Sequence, residues 1–291
     1  MRLFPAARAA VEADAAAPRP WELDIDEQRA GARRVAAVQP RPDVAEVSDH
    51  DADGVAVRLY VPHAARDGVI VHLHGGGFVF GDIEVHDAAA RELAETTRIR
   101  VLSVDYRRPP EHRFPAAPDD VDTVLAWLAA QPGIGTMPVY AHGDSAGGSL
   151  ALVAALRNPG RFRAVALVYP FLDPSCASAS YRIEGGWAEE ARWYWEQYAA
   201  SPADHADPDL APLLAGDDRL ARLPPTLVVS AEGDILVDED EELAHRLADL
   251  GVEVVAFRAV GQVHGFWRHS SVFSAVGPVM AMTAAFLSRQ G

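Results

Sequence analysis

A serine within a glycine-rich pentapeptide is the first feature of this sequence that could do covalent chemistry. Ser145 occupies the centre of Gly-Asp-Ser-Ala-Gly at 143–147, which fits the pattern G-x-S-x-G. The pentapeptide lies between an apolar run at 138–141 and a helical pattern at 146–156, the strand–turn–helix context that a nucleophile elbow requires. Glycines allow the two backbones to approach closely, and the helix N-terminus favours negative charge near the hydroxyl. The motif therefore predicts that Ser145 is a nucleophile.

Three consecutive glycines earlier in the chain could supply hydrogen-bond donors to an acyl-transfer reaction. Gly75, Gly76 and Gly77 follow an apolar run at 69–73. Because glycine has no Cβ, backbone N–H groups there can approach a ligand, and the oxyanion of acyl transfer needs such donors. The N–H of Ala146, which follows the nucleophile, would be the remaining donor. A flexible turn would also explain three glycines, but this loop precedes the elbow in the order that a hydrolase requires.

Four histidines follow Ser145, and one of them lies where a catalytic base is expected. His264 belongs to a loop, Gly-Gln-Val-His-Gly-Phe, that comes after the apolar run at 252–257. In parallel sheets the loops at the carboxyl ends of strands carry catalysis. His264 is therefore the predicted base. The other three fall in an aromatic segment, in a charged helix and just before the last helix: His205, His245 and His269.

The base needs a carboxylate to orient it, and three acidic side chains follow the apolar run at 226–230. Asp238 is expected to cap a helix, because Glu241 follows three residues later as in a capping box. Glu232 stays a candidate, although it lies closer to the end of the strand. Asp234 comes in a loop before the helix and is the predicted acid, which completes the chain order Ser, Asp, His.

The elements that position these residues alternate between short apolar runs and helical patterns. The alternation, together with runs that are apolar throughout, predicts an α/β fold whose mostly parallel sheet is covered by helices on both faces. The predicted strands are 55–61, 69–73, 101–104, 138–141, 164–169, 226–230 and 252–257, with 51–54 as a turn into the first of them. The predicted helices are 86–97, 118–130, 146–156, 239–250 and 273–288.

Two segments depart from this alternation. Residues 1 to about 46 have weak helical patterning, and Trp21, Leu23 and Ile25 offer apolar surface to bury, so helices joined by loops are expected there. Residues 174 to about 212 are rich in aromatic side chains, which predicts a cap over a pocket. These aromatics are Trp187, Trp193, Tyr194, Trp195 and Tyr198. The whole chain, 1–291, is predicted to be one domain with two cap segments.

Composition and charge exclude several classes of function. The net charge of −16 and the absence of a Lys/Arg cluster argue against nucleic acid and anionic membrane as partners. No apolar run is long enough to span a bilayer, and the N-terminus lacks the apolar stretch of a signal peptide, so a cytoplasmic location is expected. The single cysteine, Cys176, cannot form an intramolecular disulfide and is interpreted as a free thiol. No metal-binding or dinucleotide-binding motif is found.

The combination of motifs resembles the hormone-sensitive-lipase-like (bacterial type IV) esterases. The resemblance runs from about residue 54 to the C-terminus, and its motifs match in type and in order. They are His-Gly-Gly-Gly-Phe at 74–78, Asp-Tyr-Arg at 105–107 with Pro-Glu at 110–111, Gly-Asp-Ser-Ala-Gly-Gly at 143–148, Leu-Pro-Pro-Thr at 223–226, Asp-Ile-Leu at 234–236 and His-Gly-Phe at 264–266. The 105–111 loop carries an extra arginine, Arg108, where the family usually has leucine.

The resemblance implies the α/β-hydrolase fold with a cap built from residues 1–46 and 174–212. It implies a triad of Ser145, Asp234 and His264, and an oxyanion hole at Gly76, Gly77 and Ala146, with Gly75 shaping the loop. The family needs no cofactor and no metal, it often forms dimers, and a homodimer is accordingly an expectation.

The implied function is hydrolysis of a small, short-acyl ester through an acyl-enzyme. An amidase or deacetylase acting on an acetylated small metabolite would use the same residues, so this alternative stays open at the level of sequence. A non-catalytic small-molecule binding protein is a third interpretation, because some members of the fold have lost the histidine; the presence of His264 argues for an enzyme.

Overall fold

The computed structural model describes residues 3–183 and 185–290. The apolar runs form an eight-stranded sheet in the order β1-β2-β4-β3-β5-β6-β7-β8. β2 pairs antiparallel with β1 and β4, and all the other neighbours are parallel, which confirms the predicted sheet. The strands are β1 (Glu46–Ala52), β2 (Val55–Val61), β3 (Val69–Leu73), β4 (Arg100–Val104), β5 (Val139–Asp144), β6 (Ala164–Val168), β7 (Thr226–Ala231) and β8 (Val254–Ala259).

Helices cover both faces of the sheet, because alternate side chains of the buried strands are apolar on each face. Val69, Val71 and Leu73 of β3 join the core on one face, whereas Ile70 joins the core on the other. The helices are α1 (Pro5–Ala16), α2 (Ile25–Ala37), α3 (Ile83–Thr97), α4 (Ala116–Ala130), α5 (Ala146–Arg157), α6 (Ala188–Tyr198), α7 (Asp217–Leu220), α8 (Val237–Asp249) and α9 (Val276–Ser288). α4, α5 and α8 pack on the first face, and α3 and α9 pack on the second.

The two ends of the sheet differ from the sequence-based expectation. β1 was not predicted, because its sequence, Glu-Val-Ser-Asp-His-Asp-Ala, is polar and six of its seven residues stay outside the core. The turn between β1 and β2 is accordingly shorter than the predicted 51–54 and is centred on Asp53 and Gly54, which have positive φ. β8 begins two residues later than predicted and is also an exposed strand at the edge.

The segment before β1 contains α1 and α2, with one short 3-10 turn at Pro20–Glu22 between them. The expected burial of its apolar side chains is wrong for two of them, since Trp21 and Leu23 are 43% and 45% exposed. The Trp21 ring instead lies on the surface, 6.5 Å from the ring of Trp193 in α6. Ile25 is half-buried.

The described part of the segment after β6 holds α6 and the 3-10 turns Ala179–Arg182, Pro202–Ala206 and Pro212–Leu214. Four of its aromatic residues form two groups. Trp195 and Tyr198 are buried against Phe78, with the Tyr198 ring stacked 3.8 Å from the Phe78 ring. Trp187 and Tyr194 face the cavity above the carboxyl ends of the strands. Within residues 3–183 and 185–290, no helix is long and apolar enough to cross a membrane.

Candidate active site

Ser145 lies in a strained turn between β5 and α5. Its φ and ψ are 55° and −123°, a combination that L-residues rarely adopt, and its backbone N–H donates to the carbonyl of Val168 at 2.9 Å. The turn therefore lifts the serine side chain out of the sheet and places it at the first turn of α5. Only 5% of Ser145 is exposed, and that part opens into a cavity.

The two glycines that flank this turn have no room for a side chain. A Cβ at Gly143 would collide with the carbonyl oxygen of Gly147, and a Cβ at Gly147 would collide with the carbonyl oxygen of Leu73 in β3. The backbone of α5 thus approaches β3 and β5 more closely than any other residue would allow. The small residues of the motif are required by packing rather than by chain flexibility.

The structure brings Ser145, His264 and Asp234 together from three different loops. His264 Nε2 lies 2.8 Å from Ser145 Oγ, and His264 Nδ1 lies 2.6 Å from Asp234 Oδ2. Asp234 is fully buried, and its other oxygen, Oδ1, accepts a hydrogen bond from the backbone N–H of Leu236 at 3.2 Å. A buried carboxylate can hold an imidazole ring in place, and the other ring nitrogen can then take the proton of a serine hydroxyl. This arrangement can activate the hydroxyl for nucleophilic attack.

The loops that carry Asp234 and His264 are tied to each other. Glu232 Oε2 accepts a hydrogen bond from the N–H of Gly261 at 2.7 Å, and Gly233 donates to the carbonyl of Gln262 at 2.8 Å. Glu232 therefore supports the loop of His264 and does not contact the His264 ring as an acid would.

Asp238 does not have the capping role that was predicted for it. α8 begins two residues earlier than the predicted 239, at Val237, and its N-cap, Leu236, makes no side-chain hydrogen bond. Asp238 Oδ2 instead accepts a hydrogen bond from the N–H of Ser180 at 2.7 Å. The carboxylate thus ties the insertion after β6 to α8.

Two aromatic rings hold the His264 ring in position. The Tyr169 ring lies 4.7 Å from it and the Trp187 ring 4.6 Å from it, each tilted with respect to the imidazole. Tyr169 is fixed by its own hydroxyl, which accepts a hydrogen bond from the N–H of Trp267. Because one ring comes from the end of β6 and the other from the insertion, His264 is packed between the sheet and the segment above it.

The glycine loop after β3 presents backbone amides beside Ser145. Gly76 and Gly77 have φ of 127° and 58°, which favour glycine, and their N–H groups make no hydrogen bond within the described residues. The N–H of Gly75, by contrast, donates to Asp144 Oδ1 at 3.0 Å. Gly75 therefore shapes the loop and is not a free donor, whereas the amides of Gly76, Gly77 and Ala146 remain available to an oxyanion.

Asp144, the residue before Ser145, is buried beneath the glycine loop. Its Oδ1 lies 3.6 Å from His86 Nε2 and accepts the bond from Gly75. Burial tends to raise the pKa of Asp144, but His86, His72 and Arg268 outweigh it, and the pKa falls well below its usual range. Asp144 is therefore an ionised anchor for the loop.

A cluster of buried histidines surrounds this anchor: His72, His74, His86 and His142. His72 Nδ1 lies 3.0 Å from His142 Nδ1, and burial lowers the pKa of both rings, that of His142 to about 4. Within the described residues, no group of three or more histidines, cysteines or carboxylates is arranged to hold a metal ion.

The cavity at Ser145 has a volume of about 460 Å³ and is lined by residues of the N-terminal segment and of the insertion after β6. Asp14 and Arg19 come from the N-terminal segment, and Trp187, Glu190 and Tyr194 come from the insertion. An ion pair between Arg19 and Glu190 connects the two segments across the cavity. The volume suits a small organic molecule.

Comparison with known proteins agrees with this fold. A family model described as the alpha/beta hydrolase fold matches residues 70–268, more than half of the chain. The chain belongs to this family. An ethyl acetate hydrolase of Pseudomonas putida is 33% identical over 290 residues, covering 92% of this chain and 91% of its own. An arylesterase of Saccharolobus solfataricus is 35% identical over 222 residues, 72% of each chain. The solved hyperthermophilic esterase of the archaeon Pyrobaculum calidifontis has a TM-score of 0.86 at 31% identity, with both chains covered completely.

Several residues at the site of this α/β hydrolase escaped the sequence analysis. Asp144 ends β5 and Tyr169 follows β6. The signal that could have found them is their position at the carboxyl end of a predicted strand. Arg268 follows His264 by four residues, and nothing in its type or spacing pointed to the cavity that it lines. The extra arginine, Arg108, turns away and donates to the carbonyl of Gly81.

Proposed function

We propose that this α/β hydrolase is a serine carboxylesterase that hydrolyses small esters with short acyl chains through an acyl-enzyme at Ser145. The observation that carries the proposal is the chain of contacts from Ser145 Oγ to His264 and on to Asp234, at 2.8 and 2.6 Å, on the floor of a cavity. The names of the relatives, among them an ethyl acetate hydrolase and an arylesterase, support an ester as the substrate.

The mechanism follows from the positions of the groups. His264 accepts the proton of Ser145 as Oγ attacks the ester carbonyl, while Asp234 holds the ring with its Nδ1 protonated and stabilises the imidazolium. The oxyanion accepts hydrogen bonds from the amides of Gly76, Gly77 and Ala146. His264 then protonates the leaving alcohol, and a water molecule repeats the sequence to release the acid and regenerate Ser145.

The preference for short acyl chains is supported by the enclosure of the cavity. The N-terminal segment and the insertion both lie over Ser145, and the ion pair of Arg19 with Glu190 joins them. We propose on this basis that the two segments form the cap of a single domain. A cytoplasmic location and a homodimer stay predictions.

A series of p-nitrophenyl esters from acetate to palmitate tests the proposal, with the wild type beside Ser145→Ala. We expect the wild type to act best on the shortest esters and Ser145→Ala to lose at least about 10³-fold in kcat. Ser149→Ala, at a buried serine one turn further along α5, is the matched control and should retain activity. Near-full activity in Ser145→Ala would contradict the proposal, and activity on p-nitroanilides instead of esters would favour the amidase alternative.

A further inference from the structure

Arg268 is held in the cavity of Ser145 by its two neighbours. It ends the 3-10 turn Phe266–Arg268, which begins two residues after His264. Phe266 and Trp267 are fully buried, with the Phe266 ring 5.6 Å from the Tyr169 ring. Because these two rings anchor the turn in the core, the Arg268 side chain lines the cavity that holds Ser145.

The charge of Arg268 has no close counter-ion in the described part of the chain. No carboxylate in residues 3–183 and 185–290 lies within 4.0 Å of it, and its guanidinium donates no hydrogen bond there. The other cavity arginine, Arg19, is paired with Glu190. The charge of Arg268 contributes to the lowered pKa of Asp144. The Asp144 carboxylate nevertheless accepts its hydrogen bond from the Gly75 amide and is not paired with the guanidinium within 4.0 Å.

Two histidines lie around Arg268 at this end of the cavity. Burial, together with Arg268 and His86, lowers the pKa of His269 to about 4, so the ring is neutral at pH 7 and offers one N–H donor. Both ring nitrogens of His86 are buried without a hydrogen-bond partner among the described residues. This end of the cavity therefore presents nitrogen donors, with the Asp144 carboxylate 3.6 Å from His86.

A carboxylate of opposing charge, Asp14, also lines the cavity. Asp14 belongs to α1 and is exposed, so solvent screens its charge. Arg268 is half-buried and lies deeper, beside the residues that follow the base. A ligand that reaches the floor of the cavity therefore meets the positive charge of Arg268 in a less screened environment.

We infer that Arg268, with His269 beside it, binds a carboxylate carried by the substrate, so that this enzyme prefers esters bearing a carboxylate over neutral esters of the same shape. The inference rests on the proposed esterase function. A guanidinium presents a planar fork of N–H donors that matches a carboxylate, and a charged group held near Ser145 would fix the orientation of the ester.

Two pairs of substrates test this inference and distinguish the two parts of the ester that could carry the charge. Monoethyl glutarate and ethyl pentanoate differ by a carboxylate in place of a methyl group on the acyl part. 4-Acetoxybutanoate and butyl acetate differ in the same way on the alcohol part. The readout is the ratio of kcat/KM for the charged over the neutral ester within each pair, in the wild type, Arg268→Met and Arg268→Lys.

We expect the wild-type ratio to exceed one for at least one pair. In Arg268→Met that ratio should fall by at least about tenfold, mainly through a higher KM for the charged ester, and Arg268→Lys should keep part of the preference. Arg222→Met, at an exposed arginine in the loop before β7, is the control and should leave both ratios unchanged. Asp14→Asn should raise the ratio, because it removes the opposing charge.

A second measurement uses the wild type alone and therefore tests the inference even if Arg268→Met does not fold. Glutarate should inhibit the hydrolysis of a neutral ester competitively, more strongly at low than at high salt, whereas glutaramide should not. Ratios below one for both pairs, or ratios that Arg268→Met does not change, would overturn the inference, as would a lack of inhibition by glutarate. Failure of the proposed function is distinguishable, because then even the neutral esters would not be hydrolysed in a Ser145-dependent way.

Discussion

Asp234→Asn changes one heavy atom of the proposed triad, and the hydrogen bonds of Asp234 indicate that this change would move the ring proton of neutral His264 from Nδ1 to Nε2. The Oδ1 atom of Asp234 accepts the N–H of Leu236 at 3.2 Å, and Oδ2 lies 2.6 Å from His264 Nδ1. An asparagine must keep its oxygen towards Leu236 and turn its NH₂ group towards Nδ1. The ring would then carry its proton on Nε2, and Nε2 could no longer accept the proton of Ser145.

The expected loss is large because the wrong tautomer affects the first chemical step. A comparable aspartate-to-asparagine change in a serine hydrolase triad lowers kcat by about 10⁴-fold, which corresponds to about 5 kcal/mol of transition-state stabilisation. We expect a loss of this order in kcat for p-nitrophenyl butyrate, with little change in KM. Circular dichroism should show an unchanged fold, since asparagine has the shape of aspartate.

Glu232→Gln is the matched control, because Glu232 was the other acid candidate and lies two residues away. A glutamine oxygen can still accept the N–H of Gly261, so activity should stay within a few fold of the wild type. If folded Asp234→Asn kept kcat within about tenfold of the wild type, the assignment of Asp234 would be refuted. If Glu232→Gln instead lost most of the activity, Glu232 would have to be the acid.

Three further changes test the support of the site. Gly147→Ala should prevent stable folding, because its Cβ collides with the carbonyl oxygen of Leu73. Gly277→Ala, at an open helical position, is the control and should stabilise the protein by up to about 1 kcal/mol. Thermal unfolding measures both variants, and equal melting temperatures would contradict the packing argument. Asp144→Ala leaves the buried N–H of Gly75 without an acceptor and should lower kcat by about tenfold or more with little effect on KM; a change in KM alone would argue against a role in the oxyanion loop. Burial and nearby carboxylates raise the pKa of Asp240 well above 3.8, so the folded chain keeps a proton that the unfolded chain loses, and stability falls as the pH rises from 3.8 towards the folded pKa. Asp240→Asn should lessen this fall in urea unfolding at pH 5 and pH 8, and a stability difference from the wild type that is equal at both pH values would contradict it.

The sheet and the proximity of Ser145, Asp234 and His264 could be predicted because they depend on local patterns and on chain order. The buried strand β6 is apolar throughout, and β3 is apolar except for His72. Ser145 follows β5, Asp234 follows β7 and His264 follows β8, in the order that the fold requires. Ser145, Asp234 and His264 are far apart in sequence, but parallel strands bring their carboxyl ends to one edge of the sheet. Their proximity therefore follows from the topology, without knowledge of any interatomic distance.

The features that were missed depend on tertiary contacts that no local pattern records. β1 is polar because it lies at the edge of the sheet, and it is a strand only through pairing with β2. Trp21 was expected to be buried, yet its partner, Trp193, is itself on the surface segment above the cavity. The Gly75 amide is taken up by a carboxylate 69 residues further along the chain, which the spacing of the glycines cannot indicate.

Covalent trapping of the nucleophile tests the central claim most directly. Diethyl p-nitrophenyl phosphate reacts with an activated serine and leaves a stable phosphoryl ester on its Oγ. We expect one such group per chain, found by mass spectrometry on the peptide that contains Ser145, with loss of esterase activity in proportion to labelling and no labelling of Ser145→Ala. A label on another residue, or full activity in a chain labelled at Ser145, would contradict an acyl-enzyme at Ser145.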